Sequence, residues 1–191
     1  MNDEFFIKSR LEGFRSRSSF KLIQINQKFK IFNKNKLNIL DLGCAPGAWL
    51  QVIKKLTDYK KSKILGIDKL EIKKIDGVNF FQKDIFENKT IEEINLFFGE
   101  KIDILLSDMS PNTSGNKNVD HLKIISLIES VLDVSELFLK KDGFFVCKIF
   151  QGGAQGELMD RISQIFKSIK YFKPQASRKE SPETYIVAKK K

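Results

Sequence analysis

The sequence predicts an α/β domain with a mainly parallel sheet, because short apolar runs alternate with helical patterns along most of the chain. Apolar runs bounded by polar or turn residues are typical of buried strands. The runs predicted to be strands lie at about 37–42, 63–68, 78–82, 102–107 and 143–149. The helical patterns between them lie at about 47–57, 89–98 and 118–139.

The two ends of the chain complete this prediction. After an N-terminal arm, Ser18 or Ser19 is placed to cap a helix that runs to about Phe32. Beyond a helix near 156–167, two further strands at about 168–173 and 184–189 would add an antiparallel strand at the end of the sheet. We therefore expect seven strands with helices on both faces. A single domain over 1–191 would combine a basic arm and helix (1–36) with an α/β core (37–191).

Composition limits the classes of protein and site. With 191 residues and 41% hydrophobic content, the chain is long enough for one sizeable core. No apolar run approaches the roughly 18 residues that span a membrane, and the N-terminus is too polar and acidic for a secretory signal. Cys44 and Cys147 lie at apolar strand ends without metal-ligand spacing, and His121 is the only histidine. These features predict a cytoplasmic protein without a metal site, most simply a monomer.

The net charge of +10 is unevenly distributed along the chain. Residues 1–36 carry nine Lys or Arg and three Asp or Glu, and residues 167–191 carry eight and two, so each end has a charge of +6. Residues 37–166 carry seventeen Lys or Arg and nineteen Asp or Glu, a charge of −2. Basic ends of this kind are suited to phosphate-rich nucleic acid. Codon bias is an alternative source of the many lysines (29 against 5 arginines), but it does not explain their segregation.

The first predicted strand ends in a glycine-containing turn at 41–49, followed by a helix with apolar residues at Leu50 and Ile53. Glycine in such a turn allows a ligand to approach the backbone, and the start of the helix offers free N–H groups. The dinucleotide pattern G-x-G-x-x-G is absent, and the Asp-x-Gly-x-x-Pro-Gly pattern resembles the cofactor loop of methyltransferases that use S-adenosyl-L-methionine. The turn residues expected to bind that cofactor are Gly43, Ala45, Pro46, Gly47 and Trp49.

Trp49 has two interpretations. It is either a packing residue on the first core helix or a wall of the cofactor pocket. Its position directly after the turn favours the wall.

Aspartates recur where three successive strands end. Asp68, Asp84 and Asp108 follow the second, third and fourth predicted strands, at the edge where an open α/β sheet binds ligands. Asp68 is placed to accept hydrogen bonds from both ribose hydroxyls of an adenosine, and Asp84 to contact the adenine amino group. Each aspartate could instead be an ordinary cap or turn residue. Their recurrence beside the 41–49 turn favours a ligand site.

Lys148 ends an otherwise apolar strand. A lysine among aromatic and aliphatic residues is rarely buried without a partner. It could extend from the strand end to solvent, or it could serve chemistry in a cleft.

Several motifs resemble the FtsJ/RrmJ (RlmE) family of ribosomal RNA 2′-O-methyltransferases along nearly the whole chain. The matching segments are 15–22, 41–49, 107–115, 148–152 and 183–188. The resemblance implies a Rossmann-like class I methyltransferase domain with S-adenosyl-L-methionine as cofactor. The catalytic Lys-Asp-Lys-Glu set of the family would fall on Lys21, Asp108, Lys148 and Glu183.

The resemblance also implies a reaction, which is methylation of the ribose 2′-hydroxyl of a uridine in large-subunit ribosomal RNA within the assembled particle. Lys148 is the candidate base, neutral or sharing its proton with Asp108, while Lys21 and Glu183 would orient the ribose. Glu180 competes for the last role, but Glu183 directly precedes the final strand. Two departures from the family pattern, Ala48 and Pro182, remove no functional group.

The candidate RNA contacts are Arg15, Arg17 and Arg178. Lys21 and Glu183 would bring both basic ends to the pocket as one phosphate-binding surface. Three alternatives are a nicotinamide oxidoreductase, a methyltransferase of small molecules or proteins, and a non-catalytic RNA-binding assembly factor. Methylation of transfer RNA is a further option. The turn lacks the glycine spacing of nicotinamide-binding loops, which argues against the oxidoreductase. The paired lysines, Lys21 and Lys148, argue against a methyltransferase of small molecules or proteins, and the complete catalytic set argues against a non-catalytic factor.

Overall fold

The chain folds into alternating helices and strands around one sheet, as seen in a computed structural model that describes residues 3–111, 115, 117–150 and 156–191. The helices are α1 (Glu4–Leu11), α2 (Ser19–Phe29), α3 (Ala48–Leu56), α4 (Asn88–Phe98), α5 (Lys117–Phe138) and α6 (Glu157–Ile165). The strands are β1 (Asn38–Leu42), β2 (Lys63–Asp68), β3 (Asn79–Gln82), β4 (Ile102–Ser107), β5 (Leu139–Phe150), β6 (Phe166–Phe172) and β7 (Glu183–Lys190).

The sheet has the strand order β3-β2-β1-β4-β5-β7-β6. Strands β1 to β5 pair in parallel, and β7 runs antiparallel to both of its neighbours, β5 and β6. The predicted fold class, a mainly parallel seven-stranded sheet with an antiparallel C-terminal strand, is therefore confirmed. The last strand of the chain enters the sheet between β5 and β6 rather than lying at its edge.

The sheet separates two apolar clusters because successive side chains of a strand point to opposite faces. In β4, Leu105 packs with apolar residues of α4, α5 and α6, whereas its neighbours Ile104 and Leu106 pack with residues of α2 and α3. Helices therefore cover both faces, as predicted. The carboxyl ends of the parallel strands remain free to form a site.

The N-terminal region differs from the prediction. The arm contains helix α1, whose first turn is capped by Asp3 through a hydrogen bond from the Phe6 amide to Oδ1 (3.1 Å). Ser18 is the N-cap residue of α2, one of the two predicted positions, but its side chain makes no capping hydrogen bond to the described residues. Helix α2 ends at Phe29 because Lys30 adopts a left-handed conformation (φ 52°).

Other elements begin or end a few residues away from their predicted boundaries. Strand β5 begins at Leu139, directly after α5, rather than near 143. No helix within the described ranges is long and apolar enough to cross a membrane.

Strand β1 is buried along its whole length and contains a carboxyl group, that of Asp41. Neither of its oxygens has a hydrogen-bond partner among the described residues. Burial, and then the charges of Asp108 and Asp68, raise the pKa of Asp41 well above its ordinary value. The strand that ends in the 41–49 turn therefore carries a group whose ionisation opposes folding.

We expect Asp41→Asn to stabilise the protein increasingly as pH rises. A raised pKa in the folded state means that the stability of the wild type is greatest below the unfolded value of about 4 and falls as pH rises towards the folded value. The amide does not titrate, so its advantage should grow by up to about 1.4 kcal/mol per pH unit over that window. Urea unfolding of both proteins at pH 5 and pH 8 measures the difference. An advantage that does not depend on pH would contradict the assignment.

Candidate active site

A cleft of about 670 Å³ opens at the carboxyl ends of β1 to β4. Its size is in the range of small-molecule and cofactor sites. It is lined by the turn after β1, by the segments after β2, β3 and β4, and by one face of α5. The sequence-predicted residues that line it are Gly43, Ala45, Asp68, Asp84 and Asp108.

The 41–49 turn is held against β2 by main-chain and side-chain hydrogen bonds. The Gly43 amide donates to the Ile67 carbonyl (2.8 Å), and the Ala45 amide donates to Oδ2 of Asp68 (2.8 Å). Gly43 has a positive φ (72°), and a Cβ there would collide with Met109. The glycine thus allows the segment after β4 to close over the turn.

Arg15 braces the same turn from outside. Its guanidinium donates to the carbonyl oxygens of Pro46 (2.9 Å) and Lys74 (3.2 Å), and its amide donates to Oε1 of Gln51 (2.8 Å). A Cβ at Gly47 would approach this guanidinium to 2.6 Å. Arg15 therefore connects the segment before α2, the turn and the segment after β2.

The two aspartates after β2 and β3 are both turn residues and cleft residues. Asp68 accepts from the Leu70 amide (2.9 Å) and Asp84 from the Phe86 amide (3.1 Å). Asp84 also pairs with Lys69 (2.8 Å). Although burial raises the pKa of Asp84, its hydrogen bonds to Lys69 and to the Phe86 amide lower it overall. Asp68 and Asp84 can therefore stabilise their turns and also contact a ligand in the cleft.

The structure corrects the interpretation of Trp49 as a wall of the pocket. The side chain is only 2% exposed, its Nε1 donates to the Ser18 carbonyl (2.9 Å), and its ring centroid lies 5.9 Å from that of Tyr185. The helix turns the indole towards α2 and the sheet, so Trp49 packs the core. Pro46 and Gly47 are likewise absent from the described lining of the cleft.

Lys148 lies in the structure beside Asp108. Its Nζ donates to the main-chain oxygen of Asp108 (2.7 Å) and lies 3.2 Å from Oδ1 of the same residue. The Lys148 side chain is 8% exposed. The lysine is thus paired within the site, and it does not extend to solvent.

Tyr185 completes this group and was not identified from the sequence. Its hydroxyl donates to Oδ1 of Asp108 (2.6 Å). Burial, and then the charges of Asp108 and Glu183, raise the pKa of Tyr185 well above its ordinary value, so the hydroxyl keeps its proton as a donor. Its position two residues after Glu183 in a strand was the available signal, since such residues share a face.

Lys21 and Glu183 form the second ion pair of the site, at 2.6 Å, and each side chain is 12% exposed. Burial raises the pKa of Glu183, but the hydrogen bond and charge of Lys21, with smaller contributions from Ser177 and Lys148, lower it overall. The competing residue, Glu180, is exposed. The geometry therefore favours Glu183 over Glu180.

The register between β5 and β7 brings the two pairs together. Lys148 is opposite Tyr185, and Phe150 is opposite Glu183. Because side chains alternate along strands, Lys148, Tyr185 and Glu183 share one face of the sheet. Lys21 reaches the same place from α2, with its Nζ 5.9 Å from the centre of the Tyr185 ring.

A second recess of about 300 Å³ adjoins the Lys21–Glu183 pair and contains Arg17 and Arg178. Arg17 pairs with Asp3 and donates to the Ala176 carbonyl (2.6 Å). Burial, followed by the charge of Arg178, lowers the pKa of Arg17, while Glu183 opposes the shift. Two of the three predicted RNA contacts therefore lie here, whereas Arg15 lies at the 41–49 turn.

The thiols are buried. Burial raises the pKa of Cys44 above its ordinary value and that of Cys147 to about 12. Both groups stay protonated near neutrality and are poor nucleophiles.

Some sequence expectations lie outside the described residues. They are the 112–114 part of the 107–115 motif, the 151–152 part of the 148–152 motif, and the side chain of His121.

Comparison with known proteins relates this geometry to a family. The model of the FtsJ-like methyltransferase family matches residues 14–191. Ribosomal RNA large subunit methyltransferase E of Rickettsia bellii is 47% identical over 98% of this chain and 84% of its own, and that of Rickettsia akari is 46% identical over the same shares. A solved Plasmodium falciparum structure, assigned as a ribosomal RNA methyltransferase, has 31% identity and a TM-score of 0.78, covering 93% of this chain and 98% of its own. The chain belongs to the FtsJ-like methyltransferase family.

Proposed function

We propose that the protein uses S-adenosyl-L-methionine to methylate the ribose 2′-hydroxyl of a uridine in large-subunit ribosomal RNA, within the assembled subunit. The names of its Rickettsia relatives support the large ribosomal subunit as the substrate. The observation that carries the proposal is the position of Lys148 Nζ, 3.2 Å from Asp108 Oδ1 at the end of the cleft. A cytoplasmic monomer is the form of the protein that we propose to act.

The described cleft fits this cofactor. Gly43, Asp68 and Asp84 line the cleft, and we assign Asp68 to the ribose hydroxyls of the cofactor and Asp84 to its adenine amino group. The cleft is lined by Asp68, Asp84 and Asp108, whose carboxylates would accept hydrogen bonds from the cofactor. When bound, the cofactor would supply a methyl group already activated by its sulfonium.

The chain's own task is then to hold and deprotonate the hydroxyl. Lys148 donates one hydrogen bond, to the main-chain oxygen of Asp108, and its Nζ lies 3.2 Å from Oδ1 of the same residue. To act as a base, it would present the lone pair of Nζ to the ribose hydroxyl. We assign Lys148 as the base, either neutral or sharing its proton with Asp108 when the hydroxyl arrives. The Tyr185 hydroxyl holds Asp108 in place by donating a hydrogen bond to its Oδ1.

The second pair would orient the sugar. Lys21 and Glu183 offer donor and acceptor groups 2.6 Å apart, next to the recess that contains Arg17 and Arg178. These arginines would bind the phosphates that flank the target nucleotide. The 2′-hydroxyl restricts the reaction to RNA, and the nucleotide must be accessible rather than buried in a duplex.

Labelled methyl transfer tests the proposal directly. We expect incorporation into unmethylated large ribosomal subunits, at one uridine 2′-oxygen identified by mass spectrometry of nuclease fragments. Free ribosomal RNA and transfer RNA serve as comparison substrates. Methylation of a base, or of transfer RNA alone, would refute the substrate assignment.

Replacement of the proposed base should remove turnover but not cofactor binding. We expect Lys148→Ala to lower kcat by about 100- to 10,000-fold, because it removes a general base. Calorimetric affinity for S-adenosyl-L-methionine should change little. Lys141→Ala, at an exposed lysine of the same strand, is the matched control. A Lys148→Ala enzyme with near-native kcat would show that another group takes the proton.

The brace at the 41–49 turn predicts an effect on the cofactor itself. Arg15→Ala removes hydrogen bonds to the carbonyls of Pro46 and Lys74, so affinity for the cofactor without RNA should fall roughly 3- to 30-fold. Arg178→Ala lies in the other recess and should leave this affinity unchanged. If Arg15→Ala weakened only RNA binding, the brace would have no role in the cofactor site.

A further inference from the structure

A basic groove lies beside residues 12–15, directly before the residues 16–18 that line the Arg17–Arg178 recess. It has a volume of about 460 Å³ and runs between residues 12–15, helix α3 and the 69–78 segment. Its cationic residues are Arg15, Lys54, Lys55 and Lys74. Its acidic residues, Glu12 and Asp76, each lie about 4.0 Å from a lysine, Lys8 and Lys74 respectively. The groove therefore carries an excess of positive charge.

Two of these cations have no carboxylate partner among the described residues. The Nζ of Lys54 lies 4.9 Å from the centre of the Tyr59 ring, and that of Lys55 lies 5.4 Å from the centre of the Phe14 ring. The cation–π contact with the ring restrains each ammonium group, and the N–H donors of that ammonium stay available for hydrogen bonds. Positioned ammonium groups with unused donors are suited to phosphate oxygens.

Arg15 connects the groove to the turn beside the cleft. This residue lines the groove and donates to the Pro46 carbonyl of the 41–49 turn. Arg17, two residues further on, lines the recess beside Lys21 and Glu183. Two residues of chain span at most about 7 Å, so one short segment contributes side chains to both openings.

We propose that this groove binds the RNA backbone at a distance from the target nucleotide, with Lys54, Lys55 and Lys74 as phosphate contacts. The proposal rests on the proposed function, because it requires RNA as the substrate. The strand that places its ribose at Lys148 continues across the 12–18 segment into the groove. The footprint of the RNA thus extends to a part of the chain, residues 37–166, whose overall charge is −2.

Salt dependence of RNA binding provides the test. Each phosphate contact releases counterions and contributes roughly 0.7 to 0.9 to the slope of log affinity against log salt. We expect Lys54→Gln plus Lys55→Gln to reduce this slope by about 1.5 and to weaken binding about tenfold at low salt. The probes are unmethylated large ribosomal subunits and a fluorescently labelled RNA hairpin.

Control variants separate the effect of charge in the groove from changes in protein stability and from the loss of charge elsewhere on the surface. Lys54→Arg plus Lys55→Arg should retain the wild-type slope, because the charges remain. Lys89→Gln plus Lys141→Gln removes two exposed lysines outside the groove and should also leave the slope unchanged. Thermal unfolding and cofactor affinity of each variant show that the fold is intact.

The outcomes are distinct. A wild-type slope in the Lys54→Gln plus Lys55→Gln variant would overturn the groove proposal and leave the function in place. The same loss in the Lys89→Gln plus Lys141→Gln control would also overturn it, because net charge alone would then explain the effect. A wild-type protein that binds neither probe would refute the proposed function itself.

Discussion

The antiparallel entry of β7 between β5 and β6 is the constraint on which the candidate active site depends. It sets Lys148 opposite Tyr185 and places Glu183 two residues away on the same face. A shift of one residue in this register would turn Tyr185 and Glu183 to the other face of the sheet. The hydrogen bond from Tyr185 to Asp108 then connects β7 to the end of β4.

Charge is balanced at short range within the site. The Lys148–Asp108 and Lys21–Glu183 pairs are both largely excluded from solvent, where an unpaired charge is costly. Asp41 is the exception, with a buried carboxyl group that lacks a partner among the described residues. The Lys148–Asp108 and Lys21–Glu183 pairs therefore place hydrogen-bond donors and acceptors of both charges on one face of the sheet.

The N-terminal segment joins the 41–49 turn to the recess that contains Arg178. Arg15 braces the 41–49 turn, whereas Arg17 and Lys21 face the recess that contains Arg178 and Glu183. If RNA and cofactor bind as proposed, a segment that holds both places provides a physical route by which the two ligands can influence each other.

The sequence by itself predicted the strands, a mainly parallel sheet and the residues that end its strands, because apolar periodicity and turn chemistry are local properties. The strand order came from the tertiary structure. The resemblance to a known family also pointed to Lys21, Asp108, Lys148 and Glu183, which form two ion pairs in the structure. Only the tertiary structure decided that Trp49 is buried, that Tyr185 holds Asp108 and that Lys54 and Lys55 share a groove with Arg15. These relations depend on helix orientation and on contacts between residues far apart in the chain, and neither periodicity nor charge counted along the sequence contains that information.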